Sequence, residues 1–208
     1  MSTQLTSPAS VGRSSVLADH LGVDSFAKDA LMVLAGASLV GVLAQVSVPM
    51  WPVPITGQTL GVLLVGAILG ARRGALSLLS YMLLGLAGMP WFSAASGGLV
   101  ALAKPSFGYI LGFIPAAWLI GKLSERAWDR HFWLSLAGFG GATLVPFIVG
   151  IPYMWAVLRI GGVSMSWTET LNAGFTPFII GGIVKAAAGA AVVGGLWKAM
   201  GSGNISRS

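Results

Sequence analysis

Met50-Trp51-Pro52-Val53-Pro54-Ile55-Thr56-Gly57-Gln58 opens the stretch on which the fold turns. An apolar run to Leu69, the turn Gly70-Ala71-Arg72-Arg73-Gly74 and a second apolar run to Gly88-Met89-Pro90 complete it. Pro52 and Pro54 fix φ and push the residues before them toward extended geometry, so this piece is not helix. The polar pair Thr56 and Gln58 follows at once. The two apolar runs span roughly 13 and 15 residues, short of the ~20 that a straight helix needs to cross a bilayer. They are expected to form a pair of short helices, with Arg72 and Arg73 at one surface and longer neighbours burying the rest. Polar, non-helical backbone at membrane depth is tolerated only inside protein or against a water-filled cavity, which makes this stretch the first candidate for a binding site.

Composition supports the membrane setting. Of 208 residues, 55% are hydrophobic and 9% charged, with a mean hydropathy of +0.84, whereas a soluble domain carries about 25% charged residues. Cysteine is absent, which excludes disulfides, thiolate metal sites and a cysteine nucleophile. The two histidines, His20 and His131, stand in separate polar segments, so no metal site or catalytic cluster is expected and no cofactor is implied. The net charge of +6 comes from residues scattered between apolar runs. That distribution fits membrane flanks and argues against nucleic acid.

Working outward, the chain reads as an all-α, polytopic integral membrane protein with six transmembrane helices. The spans fall at about 28–48, 58–69, 74–88, 107–123, 132–158 and 177–198, with the second and third short. They lie in a membrane domain of residues 27–200, between an N-terminal cytoplasmic tail of 1–26 and a polar C-terminal tail of 201–208. Pro146 and Pro152 predict kinks in the fifth span. Ala37 and Gly41, four residues apart on the first, let another helix approach closely and are the expected contact for a partner subunit. With both termini cytoplasmic, nine lysines and arginines fall inside and two, Lys104 and Arg159, fall outside. This positive-inside bias puts the protein in the cell membrane with the loops at 49–57, 89–106 and 160–176 sharing the outer face.

Lys185 is the most informative single residue, because it sits eight residues into an otherwise uncharged span. A lysine there costs about 2.5 to 3.5 kcal/mol on insertion scales unless it meets water, a counter-charge or a ligand. No acid falls within any span except Asp29 at the very start of the first, so an anion arriving from outside is the expected partner; snorkelling to the outer headgroups is the plain alternative. Trp51, Trp91, Phe92 and Tyr109 on the outward side offer apolar walls, and Thr56, Gln58, Ser93, Ser96 and Asn172 offer hydrogen bonds. The mixture suits a small, mainly apolar ligand with one carboxylate and a polar ring. No Gly-x-x-x-x-Gly-Lys-Ser/Thr motif is present, so the chain does not itself hydrolyse ATP. Acid pairs that relay protons and an inverted repeat are also missing, which favours a capture subunit powered by other chains over a solitary transporter.

The run 52–64, the Gly70 to Ala75 turn, Gly85-Leu86-Ala87-Gly88-Met89-Pro90, Gly97-Gly98, Gly108-Tyr109 and Pro177-Phe178 through Lys185 resemble the biotin-specific substrate-capture subunits (S components) of energy-coupling-factor (ECF) transporters, the BioY family. The resemblance runs from about residue 30 to 195. It implies a non-enzymatic, six-helix vitamin-uptake subunit that binds biotin in an outward pocket. The implied partners are a transmembrane coupling protein and two cytoplasmic ATPase subunits. Pro52, Val53 and Pro54 then belong to the pocket lid, and Lys185 matches the lysine that holds the ligand carboxylate. The family pattern Gly-Asp-x-x-Lys has glycine, Gly182, where the acid that meets the ureido ring is expected, and Asn172 or Ser93 is the candidate replacement. An S component for another small anionic vitamin, or a non-transporting membrane scaffold, is the alternative.

Overall fold

The computed structural model describes residues 16–21 and 25–205. Most of the N-terminal tail, with Arg13 and Asp24, lies outside the described residues, as does Arg207. Six helices account for most of the rest: α1 (Phe26–Gln45), α2 (Gln58–Leu86), α3 (Phe107–Ser124), α4 (Phe132–Ile160), α5 (Trp167–Gly174) and α6 (Phe178–Ile205). Among the described residues, five stretches are long and apolar enough to cross a membrane: Phe26–Gln45, Gln58–Leu86, Phe107–Ser124, Trp133–Ile160 and Trp167–Met200. The protein is a polytopic, all-α membrane protein.

α2 is two helices in one. Gly70 has φ +85° and ψ 176° in its middle, a conformation open to glycine and strained for any residue with a Cβ. The chain reverses there. A Cβ built on Gly74 would stand 2.9 Å from Gly66 Cα, and Gln58 at one end of α2 bonds to Tyr81 near the other. Residues 58–69 and 71–86 are therefore antiparallel limbs of a tight hairpin whose glycines let the backbones touch. Glu125, at the end of α3, accepts from Ala71 N at 2.9 Å, so it satisfies a backbone donor that opens the second limb. α3 packs closely on the hairpin, since a Cβ on Gly66 would strike Ala117 and Ile120.

The turn of the hairpin is tied to the N-terminal segment. Val16 is buried with Leu17 and Ala18 of the 3₁₀ turn Leu17–Leu21, and Arg73 bonds Asp19 at 2.7 Å and Asp29 of α1 at 2.8 Å. This part of the expected tail is thus packed against the bundle. α4 runs through Pro146 and Pro152 as one helix. α6 runs on to Ile205, through most of the expected polar tail. Between α3 and α4, Asp129 is buried and accepts from Trp197 Nε1 of α6 at 2.7 Å, while Arg130 lies over the same indole at 4.5 Å.

α5 occupies part of the loop expected at 160–176. Its start is a capping box: Ser166 accepts from Glu169 N, and the Glu169 carboxylate accepts from Ser166 N at 2.8 Å.

Candidate functional site

Between α1 and α2 the chain forms a two-stranded ribbon, with β1 (Ser47–Val48) antiparallel to β2 (Ile55–Thr56). Residues 49–54 are the loop of that ribbon, and the extended geometry around Pro52 and Pro54 follows from their fixed φ. Under the loop lies a cavity of about 340 Å³, within the range of small-molecule sites. Its roof is Pro49, Met50, Pro52, Val53 and Pro54; Phe92, Ser93, Ala94 and Ser96 form one side. Lys104, Pro105 and Ser106 stand at the edge, and Phe107, Tyr109, Phe113, Phe147 and Phe178, with Ile110, form the largely aromatic floor. Thr56, Gln58 and Thr59 bring polar groups to the wall. Among the described residues, no aspartate or glutamate lines it.

The polar side of this wall belongs to one hydrogen-bond network. Lys185 Nζ donates to Thr56 O at 2.6 Å. Thr56 Oγ1 donates to Gln58 Oε1 at 2.8 Å, Gln58 Nε2 donates to the Tyr81 hydroxyl at 2.7 Å, and that hydroxyl donates to Trp91 O at 3.2 Å. Gln45, at the end of α1, donates to Trp91 O at 3.1 Å and accepts from Ala95 N at 3.0 Å. The network joins α6, the ribbon, both limbs of the hairpin, α1 and the 91–96 loop. Buried polar groups must find partners, and these satisfy one another.

Of the residues expected at the site, Thr56, Gln58, Phe92, Ser93, Ser96 and Tyr109 line the cavity, and so do the lid residues Pro52, Val53 and Pro54. Four stand away from it. Trp51 is exposed on the loop and does not line the cavity. Trp91 is packed beneath: its Nε1 donates to Tyr81 O at 2.9 Å and its ring lies 5.2 Å from the Tyr81 ring. Asn172 is exposed on α5, where its Oδ1 accepts from the Thr176 hydroxyl at 3.5 Å. Lys185 is half-buried one residue behind the wall, its ammonium held by the Thr56 carbonyl. Gly182 lines a separate apolar groove between α4 and α6, where a Cβ would meet Thr143 Cγ2 at 3.2 Å. Neither Asn172 nor Gly182 faces the cavity, and Ser93 is the candidate replacement for the missing acid that does.

Ala37 and Gly41 also differ from expectation. Ala37 is 0% exposed, and a Cβ on Gly41 would stand 3.1 Å from Trp91 Cβ. The close approach that their spacing predicts is made by this chain's own 91–96 loop and hairpin. The exposed stripe of α1 runs instead through Leu31, Ala35, Ser38 and Val42. Lys104 is the wall residue that sequence reasoning left as an outer-loop charge. Its signal was present, since Lys104 and Arg159 are the two basic residues on the outer loops.

A bundle of apolar helices with a roofed cavity at one end defines a small-molecule-binding membrane protein. The chain belongs to the BioY family, whose profile matches residues 11–202. It is 37% identical to the biotin transporter BioY of Rhizobium etli over 70% of this chain and 79% of that one. It is 35% identical to the probable biotin transporter BioY of Pyrococcus horikoshii over 77% and 91%, and 33% identical to the biotin transporter BioY of Thermotoga maritima over 71% and 83%. Its fold matches the crystal structure of the S-component for biotin from an ECF-type ABC transporter, with a TM-score of 0.64 and 21% identity over 85% of this chain and 95% of that one.

Proposed function

We propose that this protein is the substrate-capture component of a vitamin-uptake transporter, binding biotin in the ribbon-roofed cavity. The observation that carries the reading is a cavity with aromatic walls, no acid and a lysine held directly behind its polar side. The names of its relatives support biotin as the ligand. A fused-ring body fits between Phe92, Phe107 and Tyr109, and the carboxylate is the group that Lys185 would take in place of the Thr56 carbonyl. Ser93 and Ser96, with Gln58, are the polar groups left for the ring end. In this reading both limbs of the α2 hairpin cross the bilayer, which makes six spans. Both termini are cytoplasmic in the cell membrane, and the cavity opens outward. A transmembrane coupling protein and two ATPases supply the power, and the α1 stripe at Leu31, Ala35, Ser38 and Val42 is available to them.

The test is titration of the purified protein with biotin, biotin amide and other vitamins. Biotin should saturate one site, and Lys185→Ala should cost about 2 to 5 kcal/mol because the anion is left unpaired in a partly desolvated site, roughly 30- to 4,000-fold in Kd. The amide should bind the parent weakly and lose little more in the variant. Saturation by a different vitamin carboxylate would reassign the ligand, and no saturable ligand would leave a membrane scaffold. Unchanged affinity in Lys185→Ala would remove the carboxylate role.

A further inference from the structure

The charged side chain on the cavity wall is Lys104, not Lys185. Lys104 follows a 3₁₀ turn, Leu99–Ala103, and immediately precedes Pro105 and Ser106 at the start of α3. Its backbone is held from both sides: Lys104 N donates to Ala101 O at 3.0 Å, and Phe107 N donates to Lys104 O at 3.0 Å. The turn before it is fastened to α4 by the Tyr153 hydroxyl, which donates to Leu102 O at 2.6 Å. The Cα of Lys104 is therefore fixed at the cavity edge while its side chain is exposed to water.

We propose that Lys104 is the entry cation of the cavity, which draws small organic carboxylates to the mouth before Lys185 is engaged. The identity of that carboxylate as a vitamin rests on the capture reading above. A hydrated, exposed ammonium gives little as a fixed ion pair, but a charge at the rim of an apolar cleft focuses the field on an approaching anion and raises the association rate. Among the described residues no carboxylate lines the cavity, so none on its wall offsets this charge. Among the described residues, Asp19 and Asp29 are engaged with Arg73, Glu125 with Lys122 and Ala71 N, Asp129 with Trp197, and Glu169 with Ser166. The two lysines divide the work by position. The exposed one sets how often an anion enters, and the half-buried one sets how long it stays.

Two measurements test this, and the first is independent of the ligand's identity. The chain has no cysteine, so Ser93→Cys places a single thiol on the cavity wall. Its reaction rates with an anionic and a cationic methanethiosulfonate are compared in neutral-lipid nanodiscs. Lys104→Gln should lower the anionic-to-cationic rate ratio by about three- to tenfold at low ionic strength, and the difference should vanish at about 0.5 M salt, where screening is complete within a few ångströms. An unchanged ratio overturns the proposal. In the second, stopped-flow binding of biotin to protein with Ser93 intact, Lys104→Gln should slow association by a similar factor and leave dissociation within about twofold. Biotin amide should be indifferent to the substitution. A change confined to the dissociation rate would make Lys104 a fixed ligand contact and overturn the entry role. If the parent protein binds no biotin, the capture reading fails while the thiol rates still decide the role of Lys104.

Discussion

Tyr81→Phe removes one oxygen from the centre of the hydrogen-bond network and leaves the ring shape unchanged. The wild-type hydroxyl accepts from Gln58 Nε2 at 2.7 Å and donates to Trp91 O at 3.2 Å. Trp91 O keeps its bond from Gln45 at 3.1 Å, so that carbonyl is not orphaned. Gln58 is different: it is only 6% exposed, and its amide loses the partner on that side. A buried donor left unpaired costs about 1 to 3 kcal/mol, which is the expected loss of unfolding free energy in mixed micelles. Gln58→Leu alone strips Thr56 Oγ1 of its 2.8 Å acceptor and should cost a similar amount. In the double variant the Tyr81 change no longer orphans anything. The two together should then cost about 1 to 2 kcal/mol less than the sum of the singles, because removing both partners of a buried bond is cheaper than removing one. Additivity within about 0.5 kcal/mol would refute the argument, and would mean that water in the cavity satisfies the Gln58 amide.

Gly74→Leu should force the hairpin limbs apart, since a Cβ there already falls 2.9 Å from Gly66 Cα. The expected loss is about 1 to 3 kcal/mol or more, read as a lower Tm, while Gly140→Ala, which meets open space, should not lower it. Burial holds the Asp129 carboxyl above its ordinary range despite the Trp197 bond, so the folded state retains a proton that the unfolded state has lost. Stability should therefore fall as pH rises from the ordinary carboxyl value through the raised one, and Asp129→Asn should flatten that slope in a pH series of thermal melts. Val53→Cys should react with an impermeant thiol reagent applied from outside, with biotin slowing the reaction; labelling from the cytoplasmic side alone would invert the topology. Ser38→Trp, on the exposed stripe of α1, should abolish uptake into cells and spare biotin binding, whereas Gly41→Leu should disturb both by displacing Trp91.

The hairpin is legible in the sequence because short apolar runs on either side of Gly70-Ala71-Arg72-Arg73-Gly74 leave one way to bury both, with glycines where the backbones meet. The lid is legible for a similar reason, since Pro52 and Pro54 forbid helix and Thr56 and Gln58 demand partners. The second partner of each close approach is not. The spacing of Ala37 and Gly41 says that something comes near, and only the fold says that it is Trp91 and the chain's own hairpin. Trp91 and Asn172 carry the right chemistry for a site, yet one indole N–H is already satisfied by Tyr81 O and the other side chain sits on a helix directed elsewhere. That helix, α5, opens on a capping box of Ser166 and Glu169, and its eight residues are too few and too polar to stand out by periodicity.

These misses share a physical cause that bears on how the cavity works. Gln45, the Thr56–Gln58 pair and Tyr81 lie far apart in the chain, and in a low-dielectric interior each needs a partner. The small residues Gly41, Gly66 and Gly74 bring their helices close enough for Thr56, Gln58 and Tyr81 to bond in a chain and for Gln45 to share Trp91 O with Tyr81. Once they do, the cavity wall is left mostly apolar, and what faces an entering ligand is decided by the groups the network does not absorb. Lys104 at the rim belongs to it at no point, and Lys185 belongs only through a carbonyl that an anion can replace. A ligand that is apolar along its body and anionic at one end is the one such a wall selects, and the selection comes from how completely the other polar groups are tied to each other.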